Sequence, residues 1–245
     1  MLPRVCRQCQ HSGVKNSPPD RTSYHHGDLR NALIEAAVAA ARVGGPGAVV
    51  LREVARQVGV SHNAGYRHFT GRDDLLTAVA ERGLAELAGA IEAGLRDPES
   101  GDPEPGAPGS GAPEPGGLGS LPDPRATARN RLRAVGRSYV TYALSEPGLF
   151  RTIWAAPLDP GDEPGPAALG PRGLGAYQLL NEALDDLVRV GVLSPARRPF
   201  SEIAAWSAVH GLATLVIDGP LGLLSPEEVD RALTRLCDIV DAGLP

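Results

Sequence analysis

The sequence predicts an all-α protein of about nine helices, in which a three-helix N-terminal head precedes a larger helical body. Three observations lead to this prediction. Apolar residues recur at helical spacing over 28–95 and again over 125–242, and no stretch alternates apolar and polar residues as a strand would. A Pro- and Gly-rich stretch at 97–124 separates the two regions and is expected to be a linker. The 245-residue chain is long enough for both units to bury a core.

The first helix of the head is expected over 28–43, with Asp28 as its cap. Its inward stripe consists of Leu33, Ala37 and Ala40. The run of glycines and one proline at 44–47 ends this helix, because neither residue type continues it well.

The next segment, LREVARQVGVSHNAGYRHFTGRDDLL at 51–76, predicts two helices joined by a tight turn. The helix at 51–58 is followed by Gly59, which permits a sharp change of direction, and Ser61 can cap the helix after the turn. The small Ala55 four residues before Gly59 allows two helices to cross closely. This pattern is typical of a helix-turn-helix, whose second helix enters the DNA major groove.

A longer fourth helix is expected from Thr70 or Gly71 to about Leu95, with two aspartates in its first turn, where the helix dipole favours negative charge. Helices in the body are expected at 125–145, 148–155, 176–190, 200–217 and 226–242, with a second Pro/Gly-rich loop over 157–175. The last helix opens with Ser225 and Glu228 at the spacing of a capping box.

Positive charge is concentrated in the head, although the whole chain carries a formal net charge of −5. Seven arginines and three acidic residues lie between residues 21 and 72, whereas 14 arginines and 25 acidic residues follow residue 72. A basic head on an acidic body is expected if the head alone meets phosphate.

Composition argues against several other classes of protein. No apolar run approaches the ~20 residues of a membrane span, and the N-terminus lacks the apolar core of a signal peptide, so we expect a cytoplasmic chain without a membrane partner.

Residues 1–23 are expected to be a disordered tail. Within it, Cys6, Cys9 and His11 are zinc-ligand types, but a structural site needs four ligands. No metal and no other cofactor is therefore predicted.

The segments YHHGDLRNALIEAA at 24–37 and LREVARQVGVSHNAGYRHFTGRDDLL at 51–76 resemble the N-terminal domain of TetR-type transcriptional regulators. The likeness covers residues 24–95, and the run from Tyr66 to Phe69 matches the characteristic end of the family's recognition helix. The resemblance implies a head that binds double-stranded DNA at a specific sequence.

DNA contacts are expected from the recognition helix and from residues around it. His62, Asn63 and Gly65 lie near the start of that helix, where side chains reach base edges, and Asn63 can pair with adenine. Phosphate contacts are expected from residues that carry a hydroxyl, a guanidinium or an imidazole: Arg52, Ser61, Tyr66, Arg72, His25, His26 and Arg30. His68 is included among the DNA-binding candidates, although packing inside the head is the better interpretation for His68 and Phe69.

The body contains Trp206, His210 and Gly211 within one predicted helix, and the first two share a face. Gly211 is expected to let another helix approach closely. This arrangement resembles the C-terminal domain of a TetR subgroup named for its Trp-His-Gly motif. The resemblance implies a homodimer formed by the last two long helices. The expected seam consists of Leu212, Leu215, Val216, Val229, Leu233, Leu236 and Val240.

TetR-like bodies hold a small-molecule effector in a mostly apolar cavity, so the resemblance also implies a ligand site here. The candidate lining residues are the aromatic residues of the body and one histidine: Tyr139, Tyr142, Phe150, Trp154, Tyr177, Trp206 and His210. For any one of them, plain core packing is an open alternative. The effector would release a dimeric repressor from a near-palindromic operator by favouring one separation of the two heads.

Two other functions stay open at this point. One is a ligand-binding or scaffold protein whose helix-turn-helix only packs, and the other is a DNA-binding activator without an inducer. An enzyme is not predicted, because the chain has neither a Gly-rich phosphate loop nor a Gly-x-Ser-x-Gly motif. His210 and Asp218 with a nearby serine could be assembled into a triad on paper, but any chain of this length offers such trios.

Overall fold

Every regular element is a helix within residues 29–96, 123–157 and 165–243, which the computed structural model describes. The predicted all-α fold class is confirmed for this part of the chain. Several sequence-based expectations lie outside the described residues: the tail at 1–23 with Cys6, Cys9 and His11, the contacts of His25 and His26, the cap Asp28, and the Pro/Gly-rich stretch as far as residue 122.

Nine α-helices run through the described ranges, and their ends agree with the predicted ones to within a residue or two, except that the recognition helix ends at Gly65, before the predicted end at Tyr66–Phe69. They are α1 (Leu29–Gly44), α2 (Leu51–Val58), α3 (His62–Gly65), α4 (Arg72–Gly94), α5 (Pro124–Ser145), α6 (Pro147–Ala155), α7 (Ala176–Arg189), α8 (Ser201–Ile217) and α9 (Pro226–Gly243). Two short 3-10 helices lie at Gly45–Ala48 and Pro166–Ala168. Among these helices, none combines the length and apolarity that crossing a bilayer requires.

Local hydrogen bonds explain the turn between α2 and α3. Gly59 ends α2 in the left-handed conformation, with φ 79°, and the Val60 N–H donates back to the Ala55 carbonyl. Ser61 then accepts a hydrogen bond from the Ala64 N–H at 3.3 Å, which confirms it as the cap of α3.

The longer helices begin with similar local devices. The Asp74 carboxylate accepts from the Thr70 N–H at 2.8 Å ahead of α4. Ahead of α9, the predicted capping box is present, because Glu228 accepts from the Ser225 N–H and its own N–H donates to the Ser225 hydroxyl. Asp123 caps α5 by accepting from the Arg125 N–H, so this helix begins one residue earlier than predicted.

Two apolar cores form, one in the head and one in the body. The head core joins α1, α2 and the first half of α4, and it encloses Phe69, which is 1% exposed. On α1 the inward stripe includes Ala41, which is fully buried, whereas the predicted Ala40 is only half-buried. The body core joins the second half of α4 with α5 to α9.

Helix α6 connects the two cores. Its Leu149 is buried in the head core, and the next residue, Phe150, is buried in the body core. The turn that carries them lies against the end of α1, because Gly148 leaves no room for a Cβ atom beside the backbone carbonyls of Ala41 and Arg42. The side chain of Arg42 forms ion pairs with Glu86 on α4 and with Glu146 just before α6.

Replacing Gly148 by alanine is expected to destabilise the fold by ~1–3 kcal/mol or more, because the new methyl group overlaps backbone atoms that cannot move aside. Urea denaturation should show a lower midpoint with an unchanged slope. Gly47→Ala is the matched control, since a Cβ atom there meets nothing within 4 Å. Equal midpoints for the two variants would contradict this account of the α1–α6 contact.

Candidate functional site

The exposed side of α3 carries the residues that the sequence assigns to base recognition. His62 and Asn63 are exposed, and Tyr66 follows on the same surface with half of its side chain exposed. The His62 and Tyr66 rings meet edge to face at 6.5 Å. Arg67, which sequence reasoning left out, is also exposed and has no ion-pair partner among the described residues. The sequence did contain a signal for Arg67 as a DNA-binding candidate, because it directly follows Tyr66.

Gly65 does not belong to this surface, which corrects its assignment as a DNA-binding residue. It is buried, and a Cβ atom placed on it would lie 3.2 Å from Leu51 and 3.6 Å from Ala55 of α2. The absence of a side chain therefore brings α2 and α3 together, as Ala55 does from the other side. Gly65 therefore contributes to the packing of the helix-turn-helix and not to its DNA-facing surface.

The expected phosphate-binding residues border α3. Arg52 is exposed at the start of α2, where its guanidinium lies 3.5 Å from Glu53. Arg72 is exposed as well, but it donates a hydrogen bond to the Pro46 carbonyl at 2.5 Å and so ties α4 to the turn after α1. Ser61 is exposed, and its cap bond leaves the hydroxyl proton free to donate.

The remaining residues of the head that the sequence singled out are His68, Phe69 and Arg30. His68 is half-buried, and Phe69 fills the head core as expected. The Arg30 guanidinium lies 5.0 Å from the centre of the Phe69 ring, a cation–π distance. This contact holds the start of α1 against the end of the recognition segment.

The body contains a cavity of about 820 Å³ between α4, α5, α6, α7, α8 and α9. Four of the predicted ligand-binding residues line it: Tyr139, Trp154, Tyr177 and Trp206. Most of its wall is apolar and includes Leu84, Leu87, Ile91, Leu132, Val135 and Val209. Trp154, Tyr177 and Ile203 are each exposed over 38–48% of their surface, so the cavity opens to solvent between α6, α7 and α8.

Three predicted ligand-binding residues do not line the cavity, which corrects that part of the prediction. The Tyr142 O–H donates to the Gly83 carbonyl at 3.1 Å and so joins α5 to α4. Phe150 is 3% exposed and packs against Tyr139 and His210, with ring centres 5.8 and 5.6 Å away. His210 lies behind the cavity wall.

A chain of hydrogen bonds links His210 to the cavity. The Trp206 indole N–H donates to the Tyr139 oxygen at 3.2 Å, and the Tyr139 hydroxyl lies 2.8 Å from His210 Nδ1. Because an indole only donates, the Tyr139 O–H is left to donate to His210. Burial lowers the pKa of His210, which favours the neutral ring that accepts this bond. Burial also raises the pKa of Tyr139, so its phenol stays protonated.

Charged groups line the cavity at two places that sequence reasoning missed. On the α5–α9 side, Arg133 lies 3.0 Å from Asp238 and 3.4 Å from Asp241, and Asp241 also pairs with Arg129. On the α4 side the wall contains Glu81. The helices that supply the first group are about a hundred residues apart in the chain, so no local pattern signals the contact.

The predicted dimer seam divides into exposed and buried parts. Leu215 on α8 is 45% exposed, and Leu212 and Val216 are half-buried. On α9, however, Val229 and Leu233 are buried against their own chain.

Leu236 and Val240 are half-buried and face the cavity. These four α9 residues are therefore corrected from a seam between chains to core and cavity lining. A Cβ atom placed on Gly211 meets nothing within 4 Å, so no helix of the described chain packs against it and the expected close approach of another helix stays a prediction.

The free energy of unfolding is expected to fall as the pH drops below 6.5, the ordinary pKa of a histidine, because the unfolded chain binds a proton that buried His210 resists. Above that pH the contribution is fully present. Urea unfolding across a pH series should show a weaker pH dependence in His210→Gln, whereas the exposed control His62→Gln should follow the wild type. A His210→Gln protein with the wild-type slope below pH 6.5 would refute this role.

Two protein families match the chain. Residues 33–79 match bacterial regulatory proteins of the tetR family, and residues 132–240 match a tetracyclin repressor-like C-terminal domain. Neither match tests the more specific resemblance to the Trp-His-Gly subgroup, which stays a prediction. A comparison with the sequences of curated proteins gives no match.

Solved structures resemble the chain over most of its length. A protein of unknown function from Rhodococcus sp. RHA1 is 27% identical with a TM-score of 0.65, over 91% of this chain and 99% of that one. A TetR family transcription regulator from Marinobacter aquaeolei VT8 is 18% identical with a TM-score of 0.51, over 86% and 95%. A TetR variant from Acinetobacter baumannii AYE, solved in complex with minocycline, is 20% identical with a TM-score of 0.51, over 87% and 91%.

The two family matches fall on the two units that the fold separates. One covers the helix-turn-helix head with the first part of α4, and the other covers the body from α5 to α9. Members of this family are transcriptional regulators and not enzymes, in agreement with the sequence prediction. The chain belongs to the TetR family and is a DNA-binding transcriptional regulator.

Proposed function

We propose that the protein is a homodimeric repressor that a small-molecule effector releases from a near-palindromic operator. The observation that carries the proposal is the connection of an exposed recognition surface to a large apolar cavity through two shared helices, α4 and α6. Each step of the proposed mechanism uses one part of this arrangement.

DNA recognition would use the exposed side of α3. Asn63 would pair with adenine in the major groove, and His62 would contact a neighbouring base or phosphate. Arg52, Tyr66 and Arg67 surround them and would bind phosphates on either side of the groove. The buried Gly65 supports this surface indirectly, because it fixes the angle at which α3 leaves α2.

Dimerisation would use α8 and the exposed side of α9. Helix α8 is apolar nearly all round, although one side of it faces solvent in the single chain, and a helix of this kind is expected to be covered on both sides. Its free side contains Ala204, Gly211 and Leu215, and α9 adds Ile239, which is 56% exposed. A symmetric dimer of this kind would place its two α3 helices about 34–36 Å apart, which is the length of one turn of DNA.

Effector binding would act on the head through the cavity walls. Trp154 lines the cavity five residues after Leu149, which is buried in the head core on the same helix. On α4, Thr77 lines the cavity among residues of the head core, and Glu81 lines it between those residues and the residues of the body core. An effector that fits only one arrangement of α4 and α6 would shift the separation of the heads; equal affinity for both would shift nothing.

Selection from a random DNA pool at near-physiological salt is expected to recover a near-palindromic site. On that site, Asn63→Ala should lose ~1–3 kcal/mol of discrimination at one base pair in each half. Arg52→Ala and Arg67→Ala should weaken binding to all sequences and lower the salt slope by about one for each phosphate that a head no longer binds. Fluorescence anisotropy at several salt concentrations measures both effects.

Arg96→Ala is the matched control for this DNA-binding prediction, since Arg96 is exposed beyond the end of α4 and far along the chain from the recognition surface. It removes the same charge and should leave the salt slope unchanged. Recovery of no site above the nonspecific background would contradict a sequence-specific head.

Leu215→Arg combined with Ile239→Arg is expected to give a folded monomer, because both substitutions place charge on the proposed seam. Sedimentation should show half the wild-type mass, and affinity for a palindromic site should fall by a factor on the order of 10² because a monomer has only one head. Val43→Arg is the control, since Val43 is 92% exposed on α1. A double variant that stays dimeric would rule out this seam.

A further inference from the structure

Glu81 is an unpaired carboxylate in the cavity wall. It is half-buried on α4, and within residues 29–96, 123–157 and 165–243 no cation lies within 4.0 Å of it and no donor hydrogen-bonds to it. The neighbouring charges on α4 differ in this respect, because Arg82 pairs with Glu35 and Glu86 pairs with Arg42. A carboxylate without a partner beside an apolar wall attracts a positively charged ligand by direct charge–charge interaction.

The other charges of the wall compensate one another. Arg133 is paired with Asp238 and Asp241, and Asp241 is paired with Arg129 as well. The buried Arg133 Nε has no hydrogen-bond partner among the described residues, but its guanidinium charge is balanced by these two aspartates, with which an anionic ligand would have to compete. The charged residues that line the cavity are Glu81, Arg133 and Asp241, so within the described part of the chain the wall is negative. Glu81 is the uncompensated group among them.

Aromatic rings form another part of the wall. The Trp154 and Trp206 ring centres are 5.3 Å apart, and Tyr177 continues the group at 6.2 Å from Trp206. These rings offer electron-rich faces, which attract organic cations, and large apolar area for a hydrophobic body. The aliphatic wall of α4 and α5 adds apolar surface beside Glu81.

We propose that the cavity takes an amphipathic cation, meaning a hydrophobic organic molecule with a single positive charge, and that Glu81 is its counter-ion. This inference rests on the proposed effector site and names its ligand class. The charged group would lie against Glu81, and the apolar body would fill the space toward Trp154, Trp206 and the α5 wall. Since Glu81 is part of α4, the cation would contact the helix that continues into the head.

The test uses two ions of matched shape and opposite charge, tetraphenylphosphonium and tetraphenylborate. Equilibrium dialysis gives their dissociation constants, and the fluorescence of Trp154 and Trp206, the two tryptophans of the chain, reports binding in the cavity. The wild-type protein is expected to prefer the cation by about tenfold or more, the equivalent of one ion pair of moderate strength. Glu81→Gln should abolish the preference by weakening binding of the cation alone.

Glu227→Gln is the matched control, because Glu227 is exposed on α9 outside the cavity. The neutral hydrophobic probe N-phenyl-1-naphthylamine separates the possible failures. If this probe binds while the two ions bind equally, or while Glu81→Gln keeps the preference, the inference is wrong and the proposed effector site stands. If neither the neutral probe nor either ion binds, both the inference and the proposed effector site are wrong.

Discussion

Insertion of α6 between the two cores is the contact on which the rest of the structure depends. Successive side chains of a helix point about 100° apart, so Leu149 and Phe150 can be buried in different cores only if head and body both pack against the same turn. Gly148 permits this by letting that turn touch the backbone at the end of α1. A change in the angle between head and body must therefore repack at least one apolar core.

Helix α4 supplies the second connection and does so mainly through apolar contacts. Leu75 and Val79 are buried in the head, whereas Leu87 and Ile91 are buried in the body, so one continuous helix belongs to both units. The ion pairs beside it, such as that between Arg82 and Glu35, are between groups about half exposed. Pairs of this kind contribute ~0–1 kcal/mol each, so they orient the helix more than they stabilise it.

The cavity stays open to an apolar ligand because its polar groups mostly satisfy one another. Tyr139 accepts from Trp206 and donates to His210, and Arg133 is held by two aspartates. Polar groups that are already paired do not attract water or ligand strongly, whereas Glu81 keeps its capacity for a partner. A mostly apolar wall in which few polar groups lack a partner favours shape and charge over hydrogen-bonding pattern in the choice of ligand.

The sequence alone determined the elements whose causes are local: the turn at Gly59, the cap at Ser61 and the box of Ser225 and Glu228 each depend on hydrogen bonds within five residues. It also identified the outward residues of α3. Only the tertiary structure decided which partner an apolar or polar side chain meets, since helical periodicity gives a face but not its neighbour. Val229 and Leu233 thus proved to be core residues, and Gly65 proved to be a contact between two helices. Glu81 proved to be an unpaired group in the cavity wall. In each case the surrounding residues come from other parts of the chain.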